Sequence, residues 1–451
     1  MPRASSSTWK IEVDDTSSGH KQTVTGFGAA VTDATVSVFS ALSDSQKSAL
    51  LDDLFTTTSN DGVAFSLLRH TIGPSDLSGE LYSYNNNTDS SLAKFDLTPA
   101  GTSMVSWISK FKSANPAIKL LGSLWSPPGW MKANGVMTGK TADNNLNPTY
   151  VDEFAQYFVK YIKAFDSGGA SVDAITIQNE PLNSNAGYPT MYISADQSAS
   201  LIQENIGPAL KSADLSTEIW AYDHNTDQPS YPQTVLDGAG SYVDTVAWHC
   251  YATNVDWSIL TQFHQKNPKV TQYMTECWTS PTNSWYNTID FIMGPMQNWA
   301  AGVMAWTMAT DTNEGPHLPG GCSTCRGLVT VDTSAGTYSK TLDYYFMGQF
   351  SRYVPRGAIN LNTTGGADYG GGSKFEATSF LNSDGSRIVV LQNNFANSVD
   401  VTVKFNSGET WTGPVYQQSL TTWQLPPPGT STESSSAAES GATKKSGVAT
   451  T

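Results

Sequence analysis

The order of hydrophobic and polar positions changes in character near residue 355. Before that point, short apolar runs bounded by Gly, Pro or Asn alternate with longer stretches whose apolar residues recur every three or four positions. Such alternation of strand-type and helix-type segments predicts βα units around a parallel sheet. Eight runs have the length and composition of strands: Thr23–Gly28, Ala64–His70, Lys119–Trp125, Ala174–Asn179, Glu218–Tyr222, Thr245–Cys250, Thr271–Glu276 and Gly302–Thr307.

Amphipathic stretches between these strands predict helices. Ser43–Phe55 begins with a residue suited to an N-cap, and Thr149–Phe165 carries an aromatic stripe at helical spacing. The first part of the chain holds no glycine-rich nucleotide fingerprint. Eight strands with intervening helices therefore favour a closed (β/α)8 TIM barrel over an open Rossmann sheet, and we assign residues 22–350 to it.

The pattern beyond the barrel is one of short alternating runs separated by turn signals, which predicts a small antiparallel β-sandwich. The N-terminal segment Thr8–Val13 alternates in the same way and is expected to join it. The predicted side domain is thus built from residues 7–21 and 351–425. Residues 426–451 are rich in Pro, Ser, Thr, Ala and Gly and are predicted to be disordered. The sandwich runs are Phe375–Leu381, Arg387–Gln392, Val399–Phe405 and Ser419–Gln424.

Charge and composition narrow the possible partners. The net charge of -15 and the pI near 4.7 argue against nucleic acid and against an anionic membrane surface. No apolar run approaches the ~20 residues that span a bilayer. We expect a soluble, secreted monomer that acts on a neutral substrate, and the sequons at Asn86 and Asn362 lend this weak support. Most of the many aromatic residues are expected in the core, and several are expected to stack on sugars.

The four cysteines fit two disulfides, with three possible pairings. Cys250 and Cys277 each follow a residue expected to face the barrel interior, so both sulfurs should point outward from neighbouring strands. This favours the pairs Cys250–Cys277 and Cys322–Cys325. The spacings of 27, 45 and 3 residues do not match a zinc ribbon, and a redox motif is disfavoured because Cys322 lies in a Gly/Pro-rich loop.

Two glutamates end predicted barrel strands. Glu180 follows Ala174–Asn179, and Glu276 ends Thr271–Glu276. A retaining glycosidase needs two carboxyl groups, one to protonate the leaving oxygen and one to attack the sugar. Since active sites of such barrels lie at the carboxyl ends of the strands, this placement predicts a catalytic pair. The alternative is that each glutamate caps a helix or pairs with an arginine.

Four motifs in order then identify a family. They are GFGAA at 26–30, WSPPGWMK at 125–132, QNEP at 178–181 and Thr275-Glu276. Together they resemble glycoside hydrolase family 30, and most closely its secreted fungal endo-β-1,6-glucanases; the family also holds glucosylceramidases and xylanases. The resemblance extends from about residue 9 to residue 425. It implies a barrel fused to a side β-sandwich that both chain ends build.

The resemblance also implies residue roles. Glu180 becomes the acid/base, Glu276 the nucleophile and Asn179 a hydrogen-bond partner of the sugar 2-hydroxyl, with the two carboxyl groups roughly 5 to 5.5 Å apart. Arg69 ends the second predicted strand, where a cation is expected to keep Glu276 ionised. The residues that end the fifth strand, Tyr222–His224, are weaker candidates.

Further side chains are expected to bind substrate. By resemblance to the glucosylceramidase branch, Asp76 binds hydroxyls in the −1 subsite, although a turn or helix cap is an equal alternative. Trp125 and Trp306 end the third and eighth strands and match positions that line this subsite. His249 and Tyr251 end the sixth strand, and the tyrosine is expected to hydrogen-bond the nucleophile.

The sequence therefore predicts a secreted, retaining endo-hydrolase of β-1,6-glucan that needs no metal or cofactor, with the linkage resting on resemblance alone. Alternatives are a β-xylanase, an exo-β-glucosidase or glucosylceramidase, and a non-catalytic carbohydrate-binding protein. A xylanase pocket for glucuronic acid would need a cation, for which Arg326 is a poor candidate. A glycolipid would need an apolar rim, which we do not find in the loops. Trp130, Trp278 and Trp285 either shape the positive subsites or anchor loops.

Overall fold

The computed structural model describes residues 9–139 and 142–429. Residues 7 and 8 of the predicted side domain and residues 430–451 of the predicted disordered tail lie outside this part. The strands are β1 (Trp9–Asp14), β2 (His20–Thr23), β3 (Gly26–Val31), β4 (Leu67–Ile72), β5 (Lys119–Leu124), β6 (Ala174–Thr176), β7 (Glu218–Asn225), β8 (Thr245–His249), β9 (Thr271–Trp278), β10 (Ala300–Trp306), β11 (Ala309–Asp311), β12 (Val329–Asp332), β13 (Thr337–Lys340), β14 (Ile359–Thr364), β15 (Ala367–Asp368), β16 (Lys374–Leu381), β17 (Arg387–Asn393), β18 (Val399–Phe405), β19 (Thr410–Val415) and β20 (Ser419–Leu425).

The helices alternate with the strands of the first part. They are α1 (Asp33–Ser40), α2 (Asp44–Phe55), α3 (Thr98–Ala114), α4 (Val151–Ser167), α5 (Ala195–Ser200), α6 (Gly207–Ser212), α7 (Ser230–Ala239), α8 (Ser258–Lys266), α9 (Asn287–Gln297) and α10 (Leu342–Ser351). Short 3-10 turns span Ser17–Gly19, Gly129–Met131 and Pro148–Tyr150, and a π-helical turn spans Leu201–Ile206. Among the described residues, none of the helices combines the length and apolarity that a bilayer-spanning segment needs.

The eight strands β3 to β10 form a closed parallel barrel, in which β10 pairs with β3 through the register Gly302↔Gly26. The predicted TIM barrel is therefore confirmed. A buried apolar layer drawn from β4 to β10 packs together. Its members are Leu67, Leu121, Ala174, Trp220, Ala247, Tyr273, Ala301 and Met304.

All eight barrel strands differ from their predicted bounds by one to three residues at one or both ends, and three of these differences bear on the site or on the side domain. The strand predicted from Thr23 begins at Gly26, because Thr23 pairs with β14 of the side domain. The strand predicted to reach Asn179 ends at Thr176, because the chain turns so that the Glu180 N–H donates to the carbonyl of Asp223 at 3.0 Å. Strand β9 continues two residues past Glu276, to Trp278, so this glutamate lies within its strand.

The two helices that the pattern predicted are present. The Ser43 hydroxyl caps α2 by accepting from the Gln46 N–H at 3.3 Å, as its position predicted. The aromatic stripe of α4 is buried against the barrel, and it includes Phe154, Tyr157, Phe158, Tyr161, Ile162 and Phe165. Burial of this stripe holds the helix against the strands whose ends carry the site.

The side domain is a sheet ordered β19-β18-β1-β14-β16-β17-β20. Strand β1 lies parallel to β18 with Trp9 opposite Val401, so the N-terminal segment joins this domain as predicted. Four of its strands were missed, among them the short strands β2 and β15. Ile359–Thr364 ends in polar residues that hide its pairing, and Thr410–Val415 contains Gly and Pro, which are tolerated because β19 is an edge strand.

A three-stranded sheet of β11, β12 and β13 follows the barrel and was not predicted. Strand β11 pairs in parallel with β12, so the segment between them, residues 312–328, returns to its starting point as a closed loop. This loop contains both Cys322 and Cys325, and it reaches the C-terminal face of the barrel.

Candidate active site

A cleft of about 400 Å³ opens at the C-terminal ends of the barrel strands. This volume is within the range of small-molecule sites. Two predicted residues, Arg69 and His249, lie fully buried beneath the cleft. The other predicted residues line it, namely Asp76, Trp125, Asn179, Glu180, Tyr251, Glu276 and Trp306. The fold thus brings together all nine side chains that the sequence singled out.

Both carboxylate oxygens of Glu276 are held by donors. Oε2 accepts from Nη1 of Arg69 at 2.6 Å, and Oε1 accepts from the Tyr251 hydroxyl at 2.9 Å. Burial raises the pKa of Glu276, and the charges of His249 and Arg69 offset only part of this effect. The two donors hold this side chain in one orientation, while burial works against the ionised form that Arg69 was expected to maintain.

Arg69 organises the base of the cleft. Beyond Glu276, its Nη2 donates to Asp223 Oδ2 at 2.9 Å, to Asn179 Oδ1 at 2.5 Å and to Ser123 Oγ at 3.1 Å. Its guanidinium carbon lies 4.7 Å from the centre of the Trp125 ring. A planar fork suits several acceptors at fixed angles, so this single residue couples three strands of the barrel.

Glu180 stands in a turn with a positive φ of 46°. Its Oε2 accepts from the Asn183 amide at 2.7 Å, and its Oε1 lies 3.3 Å from Nδ1 of His249. Burial opposes ionisation, but the hydrogen bond from His249 and the neighbouring His224 outweigh it and lower the pKa of Glu180 to about 2. The role implied by the resemblance expects a protonated carboxyl here, so the proton must be found on a neighbour.

That neighbour is His249. Its Nε2 lies 2.9 Å from Oδ1 of Asp223, and although burial disfavours its charge, Glu276 and Asp223 raise the pKa of His249 to about 9. The imidazole therefore carries a proton 3.3 Å from Glu180. Moving this proton along the hydrogen bond would create a neutral acid at Glu180 without changing the net charge of the site.

Asp223 connects Arg69 to His249 beneath the cleft. The sequence marked it only as a weaker candidate, because it follows the apolar run of β7. Although burial opposes its ionisation, Arg69 and His249 hold the pKa of Asp223 well below its usual range. Its Oδ1 also accepts from the Thr275 hydroxyl at 2.6 Å. Asp223 is fully buried, so it orients the arginine and the histidine rather than meeting a ligand.

Two aromatic rings and a third acid, Asp76, also line the cleft. The rings of Trp125 and Trp306 stack with centroids 5.3 Å apart. Burial, followed by the charge of Glu276, raises the pKa of Asp76 to about 7. The Asp76 side chain accepts from the backbone N–H groups of Cys322 and Leu77, so it fixes a loop as well as lining the cleft.

Both favoured disulfide pairings are present. Cys250–Cys277 joins the end of β8 to β9, and Cys322–Cys325 lies in the loop after β11, where both residues line the cleft. Arg326 is bound by Asp343, since Nη2 and Oδ2 are 2.6 Å apart.

Three residues of the cleft were not predicted, and a fourth, His224, was only a weaker candidate. Asn183 and Tyr188 line the cleft from the loop after β6, and His224 and Asn225 line it from the end of β7. None of the loop residues belongs to a periodic pattern, so no local signal distinguishes them. For His224 and Asn225 the signal is that β7, an apolar strand, ends in three polar residues.

The clustering of acids raises the question of a metal. One ligand atom from each of Glu180, His249 and Glu276 lies within 4.8 Å of the others, an arrangement that the sequence spacing did not reveal. Arg69 already supplies a cation to this cluster at 2.6 Å. A second group joins Asp76 to Cys322 and Cys325, whose sulfurs are bonded to each other. A metal-free mechanism therefore stays our prediction.

Comparison with known proteins decides the family. The glycosyl hydrolase family 30 TIM-barrel domain matches residues 24–354, and the glycosyl hydrolase family 30 beta sandwich domain matches residues 357–431. The chain belongs to glycosyl hydrolase family 30. The resemblance inferred from four motifs is thereby confirmed, as are the barrel and the side sandwich, and the protein is a glycoside hydrolase.

Family 30 relatives match over most of the chain. The endo-1,6-beta-D-glucanase of Neurospora crassa is 56% identical over 435 residues, which cover 94% of this chain and 90% of that protein. The endo-1,6-beta-D-glucanase neg1 of Aspergillus fumigatus is 56% identical over 438 residues, covering 94% and 89%. The solved structure of the endo-beta1,6-glucanase BT3312 superposes with a TM-score of 0.82 at 29% identity, covering 93% of this chain and 94% of that one.

Proposed function

We propose that the protein cleaves internal linkages of β-1,6-glucan with retention of configuration, using Glu276 as nucleophile and Glu180 as acid/base. The observation that carries the chemistry is the pair of buried glutamates facing one cleft, each with its own set of donors. The linkage is supported by the endo-1,6-beta-D-glucanases that are 56% identical over 94% of the chain.

The spacing of the two acids supports retention. Carboxylate oxygens of Glu180 and Glu276 lie within 4.8 Å of each other. Retaining enzymes hold their carboxyl groups about 5 to 5.5 Å apart, whereas inverting enzymes leave about 6.5 to 9.5 Å for a water molecule. The cleft is too narrow between these two groups for the inverting arrangement.

The first half-reaction joins Glu276 to the anomeric carbon while the leaving oxygen takes a proton from Glu180. Arg69 and Tyr251 keep the attacking carboxylate in one orientation, which reduces the entropy lost on reaching the transition state. His249 supplies the proton that Glu180 passes on, because it holds that proton 3.3 Å away. The bond to the sugar removes the negative charge of Glu276.

The second half-reaction needs Glu180 as a base. A water molecule gives its proton to the Glu180 carboxylate and its oxygen to the anomeric carbon, which breaks the bond to Glu276. Asn183, which donates to Glu180 at 2.7 Å, favours the ionised form required at this stage. The proton then moves from Glu180 to Nδ1 of His249, which restores the starting protonation of both groups. Regeneration of Glu276 as a carboxylate restores its pairing with Arg69.

Recognition of the sugar falls to the remaining residues of the cleft. Asn179 has its Oδ1 engaged by Arg69 at 2.5 Å, which directs its amide N–H group toward the sugar 2-hydroxyl. The Asp76 carboxyl accepts hydrogen bonds from other sugar hydroxyls when it is ionised and donates one when it is protonated, and its pKa of about 7 makes both forms accessible. Trp125 and Trp306 provide the apolar surface of the −1 subsite.

Two observations bear on the alternatives. The pairing of Arg326 with Asp343 neutralises the cation that a glucuronic acid pocket would require, which weighs against a xylanase. The sequence showed no apolar rim around the cleft, but the loops after β4, β5, β6 and β8 each expose a large apolar side chain. These are Leu81, Val136, Leu182 and Val255. Glucosylceramide therefore belongs among the substrates tested.

The test is product analysis with pustulan (a linear β-1,6-glucan), laminarin, glucuronoxylan, an aryl β-glucoside and glucosylceramide. We expect β-1,6-linked oligosaccharides from pustulan, with little release from the others, and proton NMR should show the β-anomer first. Glu276→Ala is the matched inactive control. Release of glucose alone would make the enzyme exo-acting, and activity confined to another substrate would refute the linkage.

Secretion and a monomeric state are parts of the same proposal. Both disulfides and the exposed sequon residues Asn86 and Asn362 support an oxidising, glycosylating route. Expression in a fungal host should yield glycosylated protein in the medium that loses mass with an endoglycosidase, and Asn86→Gln with Asn362→Gln should abolish the change. Retention of the protein in the cells would contradict secretion. Light scattering after gel filtration tests the monomeric state, for which the mass should be that of one chain, 48.5 kDa, plus its glycans.

A further inference from the structure

One end of the side domain lies level with the catalytic face of the barrel. Lys374, which begins β16, forms an ion pair of 2.5 Å with Asp290 in the first turn of α9. Three residues along β16, the carbonyl of Ala377 accepts from Gln297 at the last turn of α9, at 3.0 Å. Strand β16 therefore runs beside α9 in the same direction. Because α9 leads back from the C-terminal end of β9, the start of β16 is on the cleft side.

The loop before β16, residues 369–373, is held in place by its backbone and by the barrel. Gly370, Gly371 and Gly372 have φ of +79°, +60° and +80°, and the Tyr369 N–H donates to the Ser373 carbonyl at 2.9 Å. A Cβ atom at Gly372 would lie 2.3 Å from the Tyr286 hydroxyl, so the loop rests directly on this barrel residue. We call this segment the tyrosine loop.

The tyrosine loop presents an aromatic ring to solvent. Tyr369 is 69% exposed, and its ring centroid lies 6.0 Å from that of Phe395. Phe395 is half-buried against Trp9 and Phe375, at 5.5 and 6.3 Å. A single exposed ring is ordinary on a protein surface. This one differs because a hydrogen-bonded turn that rests on Tyr286, together with an aromatic underlayer, holds it outward on the side of the cleft.

A short segment of the chain connects the cleft to the tyrosine loop. Trp278 lines the cleft, and the segment from 279 to 286 leads from it to Tyr286, on which the tyrosine loop rests. Eight residues span at most about 30 Å, so the tyrosine loop lies within reach of a polymer bound in the cleft.

We propose that Tyr369, supported by Phe395, is a distal stacking site for the glucan chain whose linkage is cut in the cleft. The inference rests on the proposed endo-action, which needs a polymer extending beyond the reacting linkage. A pyranose presents an apolar face of C–H bonds that stacks on an aromatic ring. A neutral polymer also meets no repulsion from a protein of net charge -15, whereas an anionic one would. Lys374, the cation nearest the loop in sequence, is already paired with Asp290 and Glu376.

The test compares a long and a short substrate in the full chain. Tyr369→Ala should raise KM for pustulan and lower kcat/KM about fivefold, the effect of losing one ring contact. The same variant should leave kcat/KM for an aryl β-gentiobioside within about twofold of wild type, since that substrate ends inside the cleft. Tyr369→Phe keeps the ring and should behave as wild type.

Tyr416→Ala is the matched control, because this tyrosine of the side domain is 66% exposed and no aromatic ring of the described residues stacks on it. Equal losses on both substrates, no loss on pustulan, or an equal effect of Tyr416→Ala would each overturn the distal site. Wild-type protein that leaves pustulan intact would instead overturn the proposed function, and with it the site, before any variant is made. Binding of pustulan to Glu276→Ala, with and without Tyr369→Ala, gives the same comparison without turnover.

Discussion

Replacement of Arg69 by lysine tests the claim that one fork-shaped cation holds the catalytic apparatus together. The guanidinium donates to Glu276, Asp223, Asn179 and Ser123 from a fully buried position. An ammonium keeps the positive charge but cannot reach acceptors on three different strands at once. The substitution therefore separates geometry from charge.

The expected magnitude follows from the contacts. Lysine can keep a bond to one of the carboxylates, Glu276 or Asp223, and loses the bond to the other. A hydrogen bond to a charged group contributes about 1.5 to 3 kcal/mol, and the bond lost to Asn179 or Ser123 adds about 0.5 to 1 kcal/mol, so the free energy of unfolding should fall by about 2 to 4 kcal/mol. If the nucleophile loses its fixed orientation, a comparable amount is lost from the transition state, and kcat/KM should fall about 30- to 1000-fold.

The assay pairs denaturant unfolding with kinetics on an activated aryl glycoside, at concentrations of denaturant where the variant is fully folded. Arg387→Lys is the matched control. Arg387 is likewise fully buried and is paired with Asp15 at 3.3 Å and Glu409 at 2.5 Å, but it lies in the side domain. We expect it to lose stability and keep its activity. Activity of folded Arg69→Lys within twofold of wild type, or an equal kinetic loss in Arg387→Lys, would refute the reasoning.

Three further predictions concern the acids and the histidine. Glu276→Ala should abolish turnover without unfolding the protein, and azide should restore it with an inverted product; a failure of rescue, detected by NMR of the products, counts against the nucleophile. Glu180→Ala should keep activity on aryl glycosides with very good leaving groups and lose it on pustulan, and equal losses on both would exclude Glu180 as the acid. The pKa of His249 is raised to about 9, so the folded state binds this proton more tightly than the unfolded chain does. The stability that this group contributes is therefore complete below about pH 6.5 and is lost as the pH rises through about 9. His249→Asn should flatten this decline of the unfolding free energy with pH. An unchanged slope would show that the proton resides elsewhere.

The periodicity of the chain was sufficient for the barrel, because strand and helix signals are local. Ser43 begins a helix by capping its own first turn, and Lys119 begins a strand within its own apolar run. Periodicity predicted the ends of strands least reliably where contacts with another domain override the local pattern. Thr23 has the pattern of a barrel strand, but it pairs with β14 of the side domain.

The site shows the same division. Sequence placed Glu180 and Glu276 at the catalytic face, because a residue after a barrel strand has only one end of the barrel to occupy. It could not show that Asp223 binds both Arg69 and His249, since these residues are separated by 154 and 26 positions and meet only when β7 has its register against its neighbours. Nor could it show which group holds the catalytic proton.

The sequence by itself determined the order of the eight barrel strands, the two glutamates of the cleft, the aromatic residues that line it and the favoured pairing of the cysteines. These follow from hydrophobic periodicity, from alternation of side chains along a strand and from motifs that keep their residues close together. The tertiary structure alone decided the network beneath the cleft, the opposite pKa shifts of Glu180 and His249, and the position of Tyr369 on the catalytic side. Electrostatic shifts and extended surfaces depend on distances between residues far apart in the chain, and those distances exist only once the barrel has closed and the side domain has packed against α9.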